Sequence, residues 1–196
     1  MGRIVVTEFV SLDGVMEDPG GAEDFVHGGL VFEIPRGDEG YKVKFDEIME
    51  TDALLLGRVT YEGFAEAWPS RTGDFADKFN SMPKYVISST LRDPEWTNST
   101  ILEGDVVDAV TALKKREAGI IQVAGSARLV QELLRSGLVD ELRLMVFPVV
   151  LGSGKRLFGD SDKLRLRLAE SRTVGDGVLI LVYQRVENGA DDASSD

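Results

Sequence analysis

Three short apolar runs constrain this chain more than anything else in it. They are Ala53-Leu54-Leu55-Leu56 before Gly57, residues 84–88, and residues 120–124 before Gly125. None alternates polar with apolar residues, and such runs are what strands covered on both faces look like. Helix-like stretches separate them: 60–67 closed by Trp68-Pro69, 74–80, 105–118 and 127–136. The stretch 105–118 opens on Asp105, a good N-cap, and ends before Gly119. The stretch 127–136 places Leu129, Val130, Leu133 and Leu134 on one side and ends at Gly137. Residues 3–10 read as a first strand, 41–50 as a helix and 143–147 as a further strand. Strand and helix in alternation predict a mostly parallel α/β sheet flanked by helices on both faces. The pattern then changes. Leu164-Arg165-Leu166-Arg167-Leu168 alternates strictly, Gly175-Asp176-Gly177 is a turn, and 178–186 is β-prone, so an antiparallel hairpin ends the sheet.

With 196 residues, no internal repeat and no linker, the chain is expected to form one domain over 1–186. Residues 187–196 hold four acids and no base, and are expected to be a disordered acidic tail. The stretch 13–38 is rich in Gly, Pro and acids. At this length it reads either as a lid or binding loop or as a disordered surface excursion.

Net charge excludes some partners. At −12 the chain lacks the basic face that nucleic acids and anionic membranes require. The absence of cysteine removes disulfides, thiolate metal sites and cysteine nucleophiles, and a single histidine, His27, removes multi-histidine metal sites. No apolar run is long enough to span a bilayer, and the N-terminus carries no secretion signal. A soluble, cytoplasmic protein is therefore expected.

Three strand ends carry polar groups. Gly57-Arg58-Val59-Thr60 runs from a buried strand directly into a helix. Free backbone N–H groups there, with Arg58 and Thr60, suit a phosphate; an N-cap Thr beside a surface Arg is the bland reading. Gly125-Ser126-Ala127 repeats the arrangement after another buried strand. Ser88 and Ser89 follow a third, where ordinary turn chemistry competes with ligand binding. Gly152-Ser153-Gly154-Lys155 fails the Walker pattern and reads as a tight turn. Asp13 in Ser11-Leu12-Asp13-Gly14 reads as a turn residue or as a group reaching the ligand crevice.

Gly57-Arg58-x-Thr60-Tyr61-Glu62 resembles a signature of dihydrofolate reductase. Residues 85–89 and 121–126 resemble that family's adenosine-side strand and its Gly-Gly turn. Ser11-Leu12-Asp13-Gly14, Val139-Asp140-Glu141-Leu142-Arg143-Leu144 and Pro148-Val149-Val150-Leu151-Gly152-Ser153-Gly154 resemble the reductase domain of the bifunctional riboflavin-biosynthesis deaminase–reductase and its stand-alone relatives. The resemblance spans about residues 2–186, with motifs in the family's order. It implies a dihydrofolate-reductase-like fold, NADPH as cofactor and a homodimer, with the apolar stretch 144–150 compatible with an interface.

It also implies site roles. Gly57, Arg58, Thr60, Ser88 and Ser89 would hold the adenosine-side phosphates, and Gly125, Ser126 and Ala127 the pyrophosphate. Asp13 or a water would be the proton source. Val15, Glu17 and Asp46 would lie on the substrate side. The chain departs from the riboflavin reductase at Val15, where that family carries Lys, and at Ala124, where it carries Glu; both groups contact its phosphorylated substrate. Dihydrofolate reductases carry a pterin-binding carboxylate on their first helix. By spacing that position falls near Tyr41, and none of Asp38, Glu39 and Asp46 aligns with it. The expected activity is NADPH-dependent reduction of a small heterocyclic, carbonyl or imine substrate. The alternatives are the riboflavin-pathway uracil reductase and a nucleotide- or pteridine-binding module without turnover.

Overall fold

The structure is a computed structural model and describes residues 1–159 and 163–186. The acidic tail expected at 187–196 lies outside the described residues. The chain forms β1 (Arg3–Ser11), α1 (Leu30–Glu33), α2 (Gly37–Glu50), β2 (Ala53–Gly57), α3 (Arg58–Ala67), α4 (Asp74–Ser81), β3 (Lys84–Ile87) and β4 (Ser99–Leu102). It continues with α5 (Val106–Arg116), β5 (Ile120–Val123), α6 (Ala127–Arg135), β6 (Glu141–Phe147), β7 (Leu166–Val174) and β8 (Val178–Arg185).

The strands make one eight-stranded sheet in the order β4-β3-β2-β5-β1-β6-β8-β7. Strands β1 to β6 pair in parallel, and β8 adds antiparallel to both β6 and β7. The fold is therefore α/β with a C-terminal antiparallel hairpin, as the sequence pattern implies.

The unalternating runs follow from burial on both faces. In β2, Leu55 points into the core formed with Val110 and Leu113 of α5 and Val130 and Leu133 of α6. Leu54 and Leu56 point the other way, onto Tyr61 of α3 and Phe79 of α4. All three leucines are fully buried. A third cluster joins Val43 of α2 to Met145 and Phe147 of β6 and Ile180 of β8.

The helix ends match the sequence signals. The Asp105 carboxylate accepts from the N–H groups of Val107 and Asp108 at 2.9 and 3.1 Å. Helix α6 closes in a Schellman motif: Gly137, at φ 67°, donates to Leu134 and Leu138 donates to Leu133.

Several boundaries differ from the sequence reading. Helix α2 begins four residues earlier than expected, and the loop before it contains the short helix α1. Strand β4 carries no sequence signal, because it is a short, half-covered edge strand with only two large apolar residues. Strand β7 runs from Leu166 to Val174, although its residues 167–173 are exposed. The stretch 144–150 is exposed only in part, at Pro148 and Val150. Strand β6 lies between β1 and β8, which buries Leu144, Met145 and Phe147. Among the described residues no helix is long and apolar enough to cross a membrane, and no group of three acidic or histidine side chains is placed to hold a metal.

The two-sided burial of β2 makes a direct prediction. Leu55→Ala removes a side chain with no exposed surface from the middle of the sheet and should cost about 2–5 kcal/mol. Urea unfolding of the two proteins should show the lower midpoint with an unchanged slope.

Candidate functional site at the carboxyl edge of the sheet

The order β2-β5-β1-β6 brings the carboxyl ends of β2, β5 and β1 side by side, where open α/β sheets form their ligand crevice. Two helices begin at this edge: α3 directly after Gly57 of β2, and α6 after the short turn Ala124-Gly125-Ser126 that follows β5. The two turns touch. A Cβ on Gly57 would stand 2.6 Å from Ser126 Oγ, and one on Gly125 would stand 2.9 Å from Thr60 Oγ1. Gly125 also has φ 78°, and the Gly125–Ser126 peptide is cis. Neither N-cap, Gly57 or Ser126, caps its helix through a side chain. The first-turn N–H groups of α3 and α6 are therefore left for another acceptor, which is the chemistry of a phosphate seat.

Around this cradle Thr60 is half-buried. Arg58 is exposed, and its Nη1 reaches both carboxylate oxygens of Glu62 at 2.8 and 3.0 Å. Ser88 is buried, and its Oγ accepts from the N–H groups of Thr90 and Leu91, so it shapes the loop after β3. Ser89 is exposed at the same end. Ala127 is buried at the first position of α6.

One expectation changes here. The Gly125 amide is not free for pyrophosphate, because it donates to Glu8 Oε1 at 2.6 Å. Glu8 lies on β1 with a relative exposure of only 6%. Burial pushes its carboxyl up to about 8, against the opposing pull of the Gly125 N–H and the Lys44 charge. Gly125 thus offers the turn its missing side chain and not a free amide. Sequence reasoning passed over Glu8. The period of two in β1, which sends Ile4, Val6 and Val10 inward, was the signal that could have found it.

The loop after β1 is stitched to the segment after β6. Leu12 donates to Val149 O, Met16 to Lys155 O and Leu157 to Gly14 O, and Val15 forms a bridge with Arg156. Asp13 is the centre of this clasp. Its carboxylate accepts from Ser11 Oγ at 2.7 Å, Leu151 N at 3.1 Å and Gly152 N at 2.9 Å, while Arg156 donates to its backbone carbonyl. These donors, Ser11 first, hold the Asp13 carboxyl far below the usual range. The expectation of Asp13 as proton source is therefore corrected: at neutral pH it is an anion with no proton to give. Glu17 is also engaged. It accepts from Lys155 N at 2.9 Å and pairs with the Lys155 ammonium, which keeps its carboxyl ionised. The Val15 side chain is buried, and a Cβ on Gly154 would stand 2.6 Å from its Cγ1 and 2.8 Å from Phe25 Cζ.

On the other face of β1, helix α2 presents Val43, Glu47 and Ile48 inward. Asp46 is one residue out of that phase. It is exposed and pairs with Lys42 at 2.5 Å, so its expected place on the substrate side is corrected. Glu47 holds the inward position and accepts from Thr7 Oγ1 at 2.7 Å and Lys44 Nζ at 2.9 Å. Phe9 lies beneath two cations, with Lys44 Nζ 4.9 Å and Arg36 Cζ 5.2 Å from its ring centre. Arg36 also lies 4.2 Å from the Tyr41 ring. It makes no ion pair among the described residues, and its buried Nε and Nη1 have no acceptor.

The fold defines the class: an α/β protein of dihydrofolate-reductase-like topology with two interlocked glycine turns on its carboxyl edge. The chain belongs to the family of the RibD C-terminal domain, whose model matches residues 3–180. It is 30% identical over 187 residues to the uncharacterized protein YyaP of Bacillus subtilis, covering 92% of this chain and 94% of that one. A candidate riboflavin biosynthesis protein from Shewanella sp. PV-4 superposes with a TM-score of 0.72 at 24% identity, covering 94% of this chain and 99% of that one. Dihydrofolate reductase of Enterococcus faecalis, in complex with NADP(H), superposes with a TM-score of 0.59 at 16% identity, covering 94% and 97%. Of these relatives, the Enterococcus faecalis protein is a reductase whose structure holds NADP(H), and the Bacillus subtilis protein is uncharacterized.

The clasp makes the second prediction. Asp13→Ala leaves the Leu151 and Gly152 amides without their acceptor. Hydrogen exchange should accelerate in 149–157 and 11–17 while β2 and β5 keep their protection.

Proposed function

We propose that this protein is an NADPH-dependent reductase of a small heterocyclic, carbonyl or imine substrate. The observation that carries the reading is the contact between the Gly57 and Gly125 turns. It brings the starts of α3 and α6, neither capped by a side chain, together on the carboxyl edge. When bound, NADPH would supply a hydride to an electrophilic carbon of the substrate. The amides of Ser126 and Ala127 hold the pyrophosphate. Arg58, freed from Glu62, and Thr60, Ser88 and Ser89 hold the adenosine-side phosphates. The 11–17 loop, clasped to 149–157, covers the far side and excludes water. Arg36 and Lys44 flank the Phe9 ring on the substrate side and favour a planar substrate with an electron-rich edge. With Asp13 ionised, a water delivers the proton to the substrate nitrogen or oxygen.

Arg58→Ala should weaken NADPH binding more than about tenfold, because a charge-assisted phosphate contact contributes roughly 1.5–3 kcal/mol. Fluorescence titration reads this directly, and unchanged affinity would remove Arg58 from the site. A screen of pterins, pyrimidines and small carbonyls, followed by loss of NADPH absorbance, tests turnover; binding without oxidation favours a ligand-binding module. Family membership keeps one second reading, the riboflavin-pathway uracil reductase. Growth of a strain lacking that reductase, with and without this chain, decides it.

For assembly we propose a homodimer, located in the cytoplasm, that buries the open face of the β7–β8 hairpin. Leu168 and Tyr183 stand opposite each other there, and Leu168 and Leu179 are exposed. Light scattering should give twice the chain mass for the wild type. Leu168→Glu with Leu179→Glu should give the monomer, since a charge facing its own copy is expelled from an apolar interface.

A further inference from the structure

The carboxyl of Glu8 sits in an unusual place. Its Oε1 accepts from the Gly125 amide at 2.6 Å, one residue before the N-cap of α6. Its second oxygen has no hydrogen-bond partner among the described residues. The side chain is largely buried, with Leu144 of β6 at its register position and Val123 of β5 beside neighbouring Val6. The start of α6 contributes Ser126 and Ala127, neither ionisable, and Arg128 of the same turn is exposed. The charge that reaches Glu8 is that of Lys44 on α2, which is itself engaged by Thr7 and Glu47. A carboxylate here would place a negative charge directly behind the N–H groups that receive an anion. A neutral carboxyl accepts the same hydrogen bond without that repulsion.

We propose that Glu8 is a positioning residue for the dinucleotide: uncharged, it ties the Gly125 turn to β1 and seats the pyrophosphate, and its ionisation releases the dinucleotide. This rests on the NADPH reading above and adds a pH control to it. Burial already holds the carboxyl at about 8 in the ligand-free protein, so the change falls just above neutrality. The sign follows from linkage. A bound pyrophosphate favours the protonated form, so binding takes up a proton above that value, and a rise in pH weakens binding in return.

The test is NADPH affinity against pH for the wild type, Glu8→Gln and Glu8→Ala. For the wild type the dissociation constant should stay level to about pH 7.5 and rise about tenfold or more by about pH 10. Glu8→Gln keeps the acceptor and cannot ionise, so it should match the wild type at about pH 7 and stay level above. Glu8→Ala should weaken binding at every pH. Calorimetry in two buffers of different ionisation enthalpy at about pH 8.5 needs no variant, and should show part of a proton taken up by the wild type. In ligand-free protein, wild-type stability relative to Glu8→Gln should fall as pH rises from about 4.5 to about 8, because the folded state alone keeps that proton. Parallel pH profiles for wild type and Glu8→Gln, or no proton uptake, would overturn the role of Glu8 while leaving the reductase reading intact. No NADPH binding at about pH 6.5 would overturn both.

Discussion

The contact between two glycine turns governs this molecule. Gly57 and Gly125 end neighbouring parallel strands, and each lacks the side chain that would collide with the other turn. Ser126 Oγ occupies the space a Cβ on Gly57 would need, and Thr60 Oγ1 does the same at Gly125. Because the turns interlock, α3 and α6 start within one small region, and their unsatisfied amides add rather than diverge. The double burial of β2 and β5 holds this arrangement from beneath. Leu54 and Leu56 anchor β2 on one face, and Leu55, Ile121 and Val123 anchor both strands on the other, so the edge has little freedom to shift.

The rest of the site is built outward from that edge by polar groups that sit where apolar ones would be ordinary. Asp13 gathers two backbone amides and a hydroxyl, and so converts a flexible loop into a clasp joining the end of β1 to the segment after β6. Lys84, wholly buried at the start of β3, donates to the carbonyls of Asn80, Met82 and Thr97 and lies 4.3 Å from the Trp96 ring. It closes the turn from α4 into β3 and brings Trp96 onto the aromatic cluster under α3. Burial costs such groups heavily unless each is satisfied. Glu8 answers the same cost differently, by holding its proton.

Much of the architecture was legible in the chain itself. Apolar runs without alternation announce strands covered on both faces, and Asp105 and Gly137 mark helix ends by local backbone chemistry, whereas α5 stops at Arg116, short of the Gly119 that the sequence pointed to. The hairpin follows from Gly175-Asp176-Gly177 between β-prone stretches. Gly57-Arg58 and Gly125-Ser126 were readable as strand-to-helix turns because a buried apolar run gives way to a helical pattern through a glycine. Strand β4 was not legible, since an edge strand of four residues needs little apolar surface and takes its pairing from β3.

What the sequence by itself determined is the layered α/β sheet and the glycine turns on its carboxyl edge, because local periodicity and turn chemistry specify both. Tertiary structure decided the side-chain roles. Asp13 and Asp46 are both carboxylates near the expected site, yet one is locked in a clasp and the other faces water, because helix phase and loop pairing over long sequence separation set their partners. Glu8 and Gly125 lie 117 residues apart and meet only because β5 pairs with β1. That pairing, and the burial it brings, makes an ordinary glutamate a group that stays protonated near neutrality.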